Sequence, residues 1–311
     1  MKRHQSALLL SLLLLWGCGA APDARHSGKT YTDDLGRTVS MDAPPQRVAS
    51  LLGSFSDVWL LSGGQLAASA DDAWDDFGLE LPDAVNLGKT KDPSLEKLLE
   101  IQPDLVLAST NTPANLDMLP TLEAAGIPVL FFDVAGFDDY LRMLKLCTDI
   151  TGRPELYEQH GETVARRVEE CAARTRQALS GKPPKILYLR AAASGIRAKN
   201  SHGNVLGEML ADLGCVNIAD SDGSLLENLS VEHILLQDPD YIFFVQQGDD
   251  TAATKANMEA LFAENPAWQS LTAVKEGRVF LLEKRLYSLK PNALWADAYE
   301  ELEAILCEKT P

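Results

Sequence analysis

Positive charge is in short supply in this chain. Its 28 lysines and arginines stand against 45 aspartates and glutamates, a net charge of −17 over 311 residues. No Lys/Arg block follows the first few residues, so nucleic acid and anionic lipid surfaces are poor partners for the folded part. Histidine is scarcer still. Beyond His4 there are only His26, His160, His202 and His233, far apart in the sequence. A bare transition-metal ion needs several His, Cys or carboxylate ligands converging, so no metal centre is expected. Cysteine is equally rare, and beyond Cys18 the four residues Cys147, Cys171, Cys215 and Cys307 form no C-x-x-C pair. All four lie in apolar or helical surroundings, where buried free thiols are the expected state.

Catalytic signatures are missing as well. Gly88-Lys89-Thr90 and Gly28-Lys29-Thr30 suggest a phosphate loop, yet the glycine required five positions earlier is Asp83 in one case and Asp23 in the other. Neither stretch can build the backbone nest that cradles phosphate. G-x-S-x-G, H-E-x-x-H and a dinucleotide fingerprint at a first βα turn are also absent, which argues against an enzyme. No apolar run is long enough to span a bilayer. The run Ala7 to Trp16, preceded by Lys2 and Arg3, has instead the length of a signal-peptide core.

What is present is organised around Arg153 to Ser180. Pro154 suits a first helical turn, Glu155 and Glu158 place negative charge near that N-terminus, and Gly181, Pro183 and Pro184 end the segment. Tyr157, Val164, Val168, Cys171, Thr175 and Ala178 recur at helical spacing between those marks. At 1.5 Å per residue the helix would run roughly 40 Å, the length of a strut between two lobes.

On both sides of the strut, short apolar runs alternate with helical stretches, the pattern of mostly parallel sheets covered on both faces. Strands are expected at Arg47–Leu52, Leu66–Ala70, Val85–Leu87, Leu105–Ala108 and Val129–Phe132, after a hairpin over Tyr31–Val48. Helices are expected to start at Ser56, Leu95, Thr112 and Phe137. Beyond the strut, strands are expected at Lys185–Leu189, Ile196–Ala198, Tyr241–Val245 and Arg278–Leu282, with helices at Asn204–Leu213, Val231–Leu236, Thr254–Ala263 and Asn292–Cys307. One unit recurs. Ser94, Glu96 and Pro103-Asp104 in the first half match Ser230, Glu232 and Pro239-Asp240 in the second. Each reads as a capped helix, a Pro-Asp turn and a buried strand.

The N-terminus and the body each resemble something known. Leu15-Trp16-Gly17-Cys18 resembles a bacterial lipobox, which implies a lipidated Cys18 as first mature residue on the extracytoplasmic face of a cell membrane. The motifs DDLGRTV (Asp33 to Val39), LGKTKDPSLEKLLEIQPDLVLAS (Leu87 to Ser109), AGIPVLFFD (Ala125 to Asp133), LGEMLADLGCVNIA (Leu206 to Ala219), LSVEHILLQDPDYIFF (Leu229 to Phe244) and AVKEGRVFLL (Ala273 to Leu282) cover much of the chain in order. They resemble the solute-binding proteins of ABC importers, in the group whose lobes are joined by one long helix and which carries iron-siderophore complexes, haem or corrinoids. The resemblance implies an α/β fold of two Rossmann-like lobes with a ligand cleft between them. The corresponding segments are a signal peptide (1–17), a lipid-anchored tether (18–30), an N-terminal lobe (31–153), the linker helix (154–180) and a C-terminal lobe (181–311). It also implies a permease and its ATPase as partners of a monomer, with Glu96 and Glu232 docking onto the permease. No intrinsic cofactor is implied, since the chelate is cargo.

The loops expected to face the cleft offer Ser54, Phe55, Trp74, Thr110 and Asn111 from the first lobe. From the second they offer Arg190, Arg197, Lys199, Gln246, Gln247, Arg285, Tyr287, Lys290 and Asn292. The second lobe thus brings most of the positive charge, which favours an anionic group on that side. His202 would be an axial ligand only if the cargo were haem. A two-lobed α/β enzyme and a structural surface lipoprotein are the rival classes.

Overall fold

The structure is a computed structural model that describes residues 28–221, 223–248 and 250–307. The expected hairpin forms from β1 (Lys29–Thr32) and β2 (Thr38–Met41), antiparallel. Lys29 and Thr30 therefore belong to a strand, which shortens the expected tether; its remaining residues up to Ser27, and the signal peptide with Cys18, lie outside the described residues.

The first lobe then runs β3 (Val48–Ser50), α1 (Gly53–Leu61), β4 (Leu66–Ser69), α2 (Asp72–Asp75), β5 (Val85–Asn86), α3 (Leu95–Ile101), β6 (Leu105–Ser109), α4 (Pro113–Ala124), β7 (Val129–Phe132) and α5 (Phe137–Thr151). Its strands lie in the order β5-β4-β3-β6-β7, all parallel. Ser56 does not start α1 as expected: the helix begins at Gly53, and the Ser56 hydroxyl is buried 2.6 Å from that of Ser69.

The strut is α6 (Pro154–Tyr157), one π-helical turn (Glu158–Glu162) and α7 (Thr163–Ala178), an unbroken helical path. The π turn contains Gly161, where a Cβ would stand 2.9 Å from the Tyr157 ring. Val164, Val168, Cys171 and Thr175 are buried as the spacing requires, whereas Ala178 is exposed and Ala172 takes its place.

The second lobe runs β8 (Lys185–Ala192), β9 (Gly195–Lys199), α8 (Val205–Asp212), β10 (Val216–Asn217), α9 (Ser224–Glu227), α10 (Val231–Gln237), β11 (Tyr241–Gln246), α11 (Thr251–Glu264), α12 (Thr272–Lys275), β12 (Val279–Leu282), α13 (Lys284–Tyr287) and α14 (Trp295–Cys307). Its parallel sheet has the order β10-β8-β11-β12, and β9 folds back antiparallel on β8.

The repeated unit is structural. Ser94 and Ser230 cap α3 and α10 through the backbone N–H of Lys97 and His233, and both helices end on a left-handed residue, Gln102 (φ 49°) and Asp238 (φ 45°). Asp104 then accepts from the N–H groups of Gln46 and Arg47 at 2.7 and 2.8 Å, ahead of β3. Asp240 accepts from Lys185 N–H at 2.8 Å, at the start of β8. In both lobes the Pro-Asp carboxylate ties the unit's own strand to its parallel neighbour.

The strut is not the sole bridge. Helix α14 lies along α7, held by Arg167 to Asp297 and Glu300 and by Arg174 to Glu303, each at 2.8 Å. One apolar core runs from Val48, Phe55 and Leu105 through Tyr140, Val164 and Val168 to Ile186, Phe243 and Trp295, joining both sheets. Periodicity within a segment cannot reveal such a bridge, because it is made by side chains distant in sequence. Cys147, Cys171 and Cys215 are buried free thiols; Cys307 is free but exposed, because it ends α14 on its outer side.

Candidate functional site

In the first sheet the chain order reverses between β3 and β6, the strands that come first and fourth in that lobe. Loops leaving the carboxyl ends of such strands splay apart and leave a crevice. A cleft of about 530 Å³ opens there. Its walls are Leu52 and Ser54 after β3, Asp72, Asp76 and Phe77 around α2, Thr90 and Lys91 after β5, and Asn111 to Ala114 after β6; Ser288, Leu289 and Lys290 close it from the far side, after β12.

Close approach of two backbones builds its floor. A Cβ at Gly53 would lie 2.6 Å from the Ala73 nitrogen, so only glycine fits where α1 starts beneath α2. The Gly53 N–H donates to Asp72 Oδ1 at 2.8 Å. Burial pushes the Asp72 carboxyl up to about 6, reinforced by Asp76 and Asp71 and opposed by that hydrogen bond and by Lys290. Burial lowers the Lys290 ammonium below the usual lysine range; Asp72 and Asp133 oppose this and Arg190 adds to it.

Next to Lys290 lies a basic cluster. Arg190 and Arg197 are cross-strand partners on β8 and β9, and Tyr188 is opposite Lys199. Burial lowers Lys199, as do Arg190 and Arg197. The Arg190 guanidinium has one hydrogen bond, Nη2 to Tyr188 Oη at 3.3 Å, and its buried Nε has no partner. Among the described residues none of Arg190, Arg197, Lys199 and Lys290 is in an ion pair. Other described cations, Arg47 and Arg166 among them, also lack an ion pair; what distinguishes these four is that they lie together. Like charges gathered without an ion-paired carboxylate repel one another, and an anion would relieve that repulsion.

The expected site residues divide by where the fold places them. Ser54, Asn111 and Lys290 line the cleft, and Arg190, Arg197 and Lys199 form the basic cluster. Thr110 is half-buried with its hydroxyl on Phe132 O, and Trp74 is half-buried on α2; neither lines the cleft. Phe55 and Tyr287 are core residues, each 1% exposed. Phe55 packs edge-on against Phe132, and the Tyr287 hydroxyl donates to Ala298 O or the Glu301 carboxylate, both at 3.0 Å. Asn292 is also 1% exposed, and with Arg285 it reaches across to α1 instead of into the cleft. Gln246 turns back to Gly248 and Thr251, Gln247 is exposed, and His202 is exposed in the turn before α8. Asp72, Asp76 and Phe77 were hidden in the same acidic stretch as Trp74. The single turn of α2 puts residues 72 and 76 on one face and Trp74 on another, a distinction too short for periodicity to show. Lys91 had no sequence signal beyond lying in the loop after β5.

Glu96 and Glu232 are both exposed, each the second residue of its helix and each two residues beyond a capping serine. No helix among the described residues is long and apolar enough to cross a membrane.

Two α/β lobes, a cleft at the ends of parallel strands and a shared helical spine define a two-lobed binding protein. The sequence pattern of the periplasmic binding proteins matches residues 48–286, and the chain belongs to that family, one of substrate-binding proteins. It is 26% identical over 302 residues to the iron-uptake system-binding protein of Bacillus subtilis (strain 168), covering 90% of this chain and 91% of that protein. It is 25% identical over 292 residues to the Fe(3+)-citrate-binding protein YfmC of the same organism, covering 88% and 87%. The solved structure of Staphylococcus aureus SirA complexed with staphyloferrin B superposes with a TM-score of 0.71 at 22% identity, over 91% of this chain and 100% of that one.

Proposed function

We propose that this protein is the extracytoplasmic solute-binding component of an ABC importer and that its cargo is an anionic ferric chelate, an iron-siderophore or iron-citrate complex. The observation that carries the reading is the basic cluster of Arg190, Arg197, Lys199 and Lys290, beside an open cleft and with no carboxylate in ion-pair contact among the described residues. A chelate needs fixed charges and donors from the protein, because the metal's own ligands come from the chelator. The names of the two B. subtilis relatives point the same way. A haem or corrinoid cargo is the alternative, but His202 does not line the cleft and offers haem no axial ligand from there.

The chelate is cargo, captured by a monomer between the lobes and handed to a permease and its ATPase. Glu96 and Glu232 are the docking carboxylates, one per lobe at matching places in the repeated unit. A lipid on Cys18 is the membrane anchor. The shared core restricts closure to a small rocking, since a wide hinge would expose apolar side chains that now touch both sheets.

Calorimetric titration with a panel of ferric chelates tests the cargo. Stoichiometric binding without turnover is expected, and removing Arg190 and Lys199 together should weaken an anionic chelate about 100-fold, at roughly tenfold per charge-assisted contact. Affinity indifferent to both substitutions would refute the reading. Charge reversal at Glu96 and Glu232 together should abolish uptake in cells and leave that affinity intact.

A further inference from the structure

After β12 the chain crosses back over the N-terminal lobe before entering α14, and this strap, Glu283 to Leu294, is tied to the other lobe. Lys284 Nζ is 2.6 Å from Asp76 Oδ1. Arg285 Nη2 is 3.2 Å from Asp57 Oδ2, and its guanidinium carbon stands 4.2 Å from the centre of the Phe77 ring. Asn292 Nδ2 donates to Ser54 O and to Asp57 Oδ2, both at 2.9 Å. Between these anchors Ser288, Leu289 and Lys290 form the far wall of the cleft. The other arm of Arg285, Nη1, donates to the backbone oxygen of Lys290 at 2.7 Å.

We propose that Arg285 and Asn292 are positioning residues for the anion site: through Asp57 on α1, the N-terminal lobe sets where the C-terminal lobe's Lys290 stands. The inference rests on the reading of the cleft as an anion site. Arg285 is suited to the task because its fork is planar and rigid, with one arm on Asp57 and one on the Lys290 carbonyl. A lysine there could not hold both at once. Asn292 closes the other end of the strap. It is buried in a left-handed conformation (φ 56°) that a non-glycine residue keeps only where its surroundings hold it, and its two amide hydrogen bonds are that hold. The groups that face Lys290 come from both lobes: Asp72 and Asp133 from the first, Arg190 from the second. Those that face Asp57 are Asn292, Arg285, His160 and Tyr140. The basic site is therefore complete only when the lobes are in register.

A double-mutant cycle on the full-length protein tests this, with ferric citrate as the titrated probe and thermal unfolding measured in parallel. Lys290→Ala should weaken binding about tenfold. Arg285→Ala should do the same in the native background, yet change affinity by less than about twofold when Lys290 is already alanine. Arg285→Lys should fail to rescue. Equal losses in both backgrounds would mean that Arg285 acts as a general scaffold and would overturn the proposal. A second measurement needs no ligand. The pH midpoint for acetylation of the Lys290 amine, read by mass spectrometry, is held low by burial and should rise towards that of ordinary lysine in Arg285→Ala and Asp57→Asn. An unchanged midpoint in folded variants would also overturn it. If ferric citrate binds to none of these proteins, the chelate reading loses its support, while the acetylation midpoint still judges the positioning role by itself.

Discussion

Asp72 offers the sharpest test of the cleft's electrostatics. Its carboxyl is raised from 3.8 to about 6, chiefly because burial disfavours the charged form. Holding it ionised at neutral pH therefore opposes folding by roughly 3 kcal/mol, at 1.36 kcal/mol per decade. The sign follows from proton counts. Between pH 3.8 and about 6 the folded protein binds more protons at this group than the unfolded chain does, so its favourable contribution is complete below 3.8 and is lost as the pH rises through 6. Asp72→Asn removes the charge and keeps an oxygen for the Gly53 N–H. The variant should be more stable than the native protein by about 2 to 3 kcal/mol at pH 7.5 and should lose that advantage near pH 4. Urea unfolding at both pH values, with equal m-values, measures the difference. The same change removes a negative charge that Lys290 feels, so an anionic chelate should bind more tightly to the variant at pH 7.5, and the two proteins should converge near pH 5. Equal stability at pH 7.5, or a difference that does not depend on pH, would refute the account of Asp72 as a desolvated carboxylate.

Other outcomes follow from the same geometry. Gly53→Ala drives a Cβ into the backbone of Ala73, where nothing flexible can move aside, and should lower stability by more than about 2 kcal/mol in chemical unfolding. Asp104→Ala and Asp240→Ala each remove a carboxylate that ties two parallel strands together; each should destabilise by about 1 to 2 kcal/mol, and the double variant should show the sum, because the two sites belong to different sheets. Thiol titration of the native protein should find Cys307 reacting in the folded state, slowed because burial and Glu303 raise its thiol, and Cys147, Cys171 and Cys215 reacting only on unfolding, since those three are buried and burial holds their thiols protonated.

Much of the fold was legible in the residues. Leu95–Ile101 and Val129–Phe132 have the expected bounds, because a capping serine and a Pro-Asp turn frame the first and Gly126 and Pro128 precede the second. The repeated Ser-x-Glu and Pro-Asp unit marks corresponding helices and strands in both lobes. Short elements escaped notice: α2, α9, α12 and α13 are single turns, below the length at which a 3.6-residue period can be recognised. The site was legible as a set of loops more than as a set of side chains. Ser54, Asn111 and Lys290 line the cleft, while Tyr287 is buried by α14, which lies farther along the chain.

Local chemistry, written in the order of the residues, determined the lobes, the helical strut between them and the cationic loops of the second lobe. Those features depend on neighbours a few positions apart: caps, turns, periodic apolar faces. The tertiary structure alone decided that α14 doubles the strut, that one apolar core joins the two sheets, and that Arg285 and Asn292 reach across to α1 while Lys290 faces the cleft. Each of these is a contact between residues more than a hundred positions apart, or a choice of direction within a single turn of chain, and neither leaves a periodic trace in the sequence.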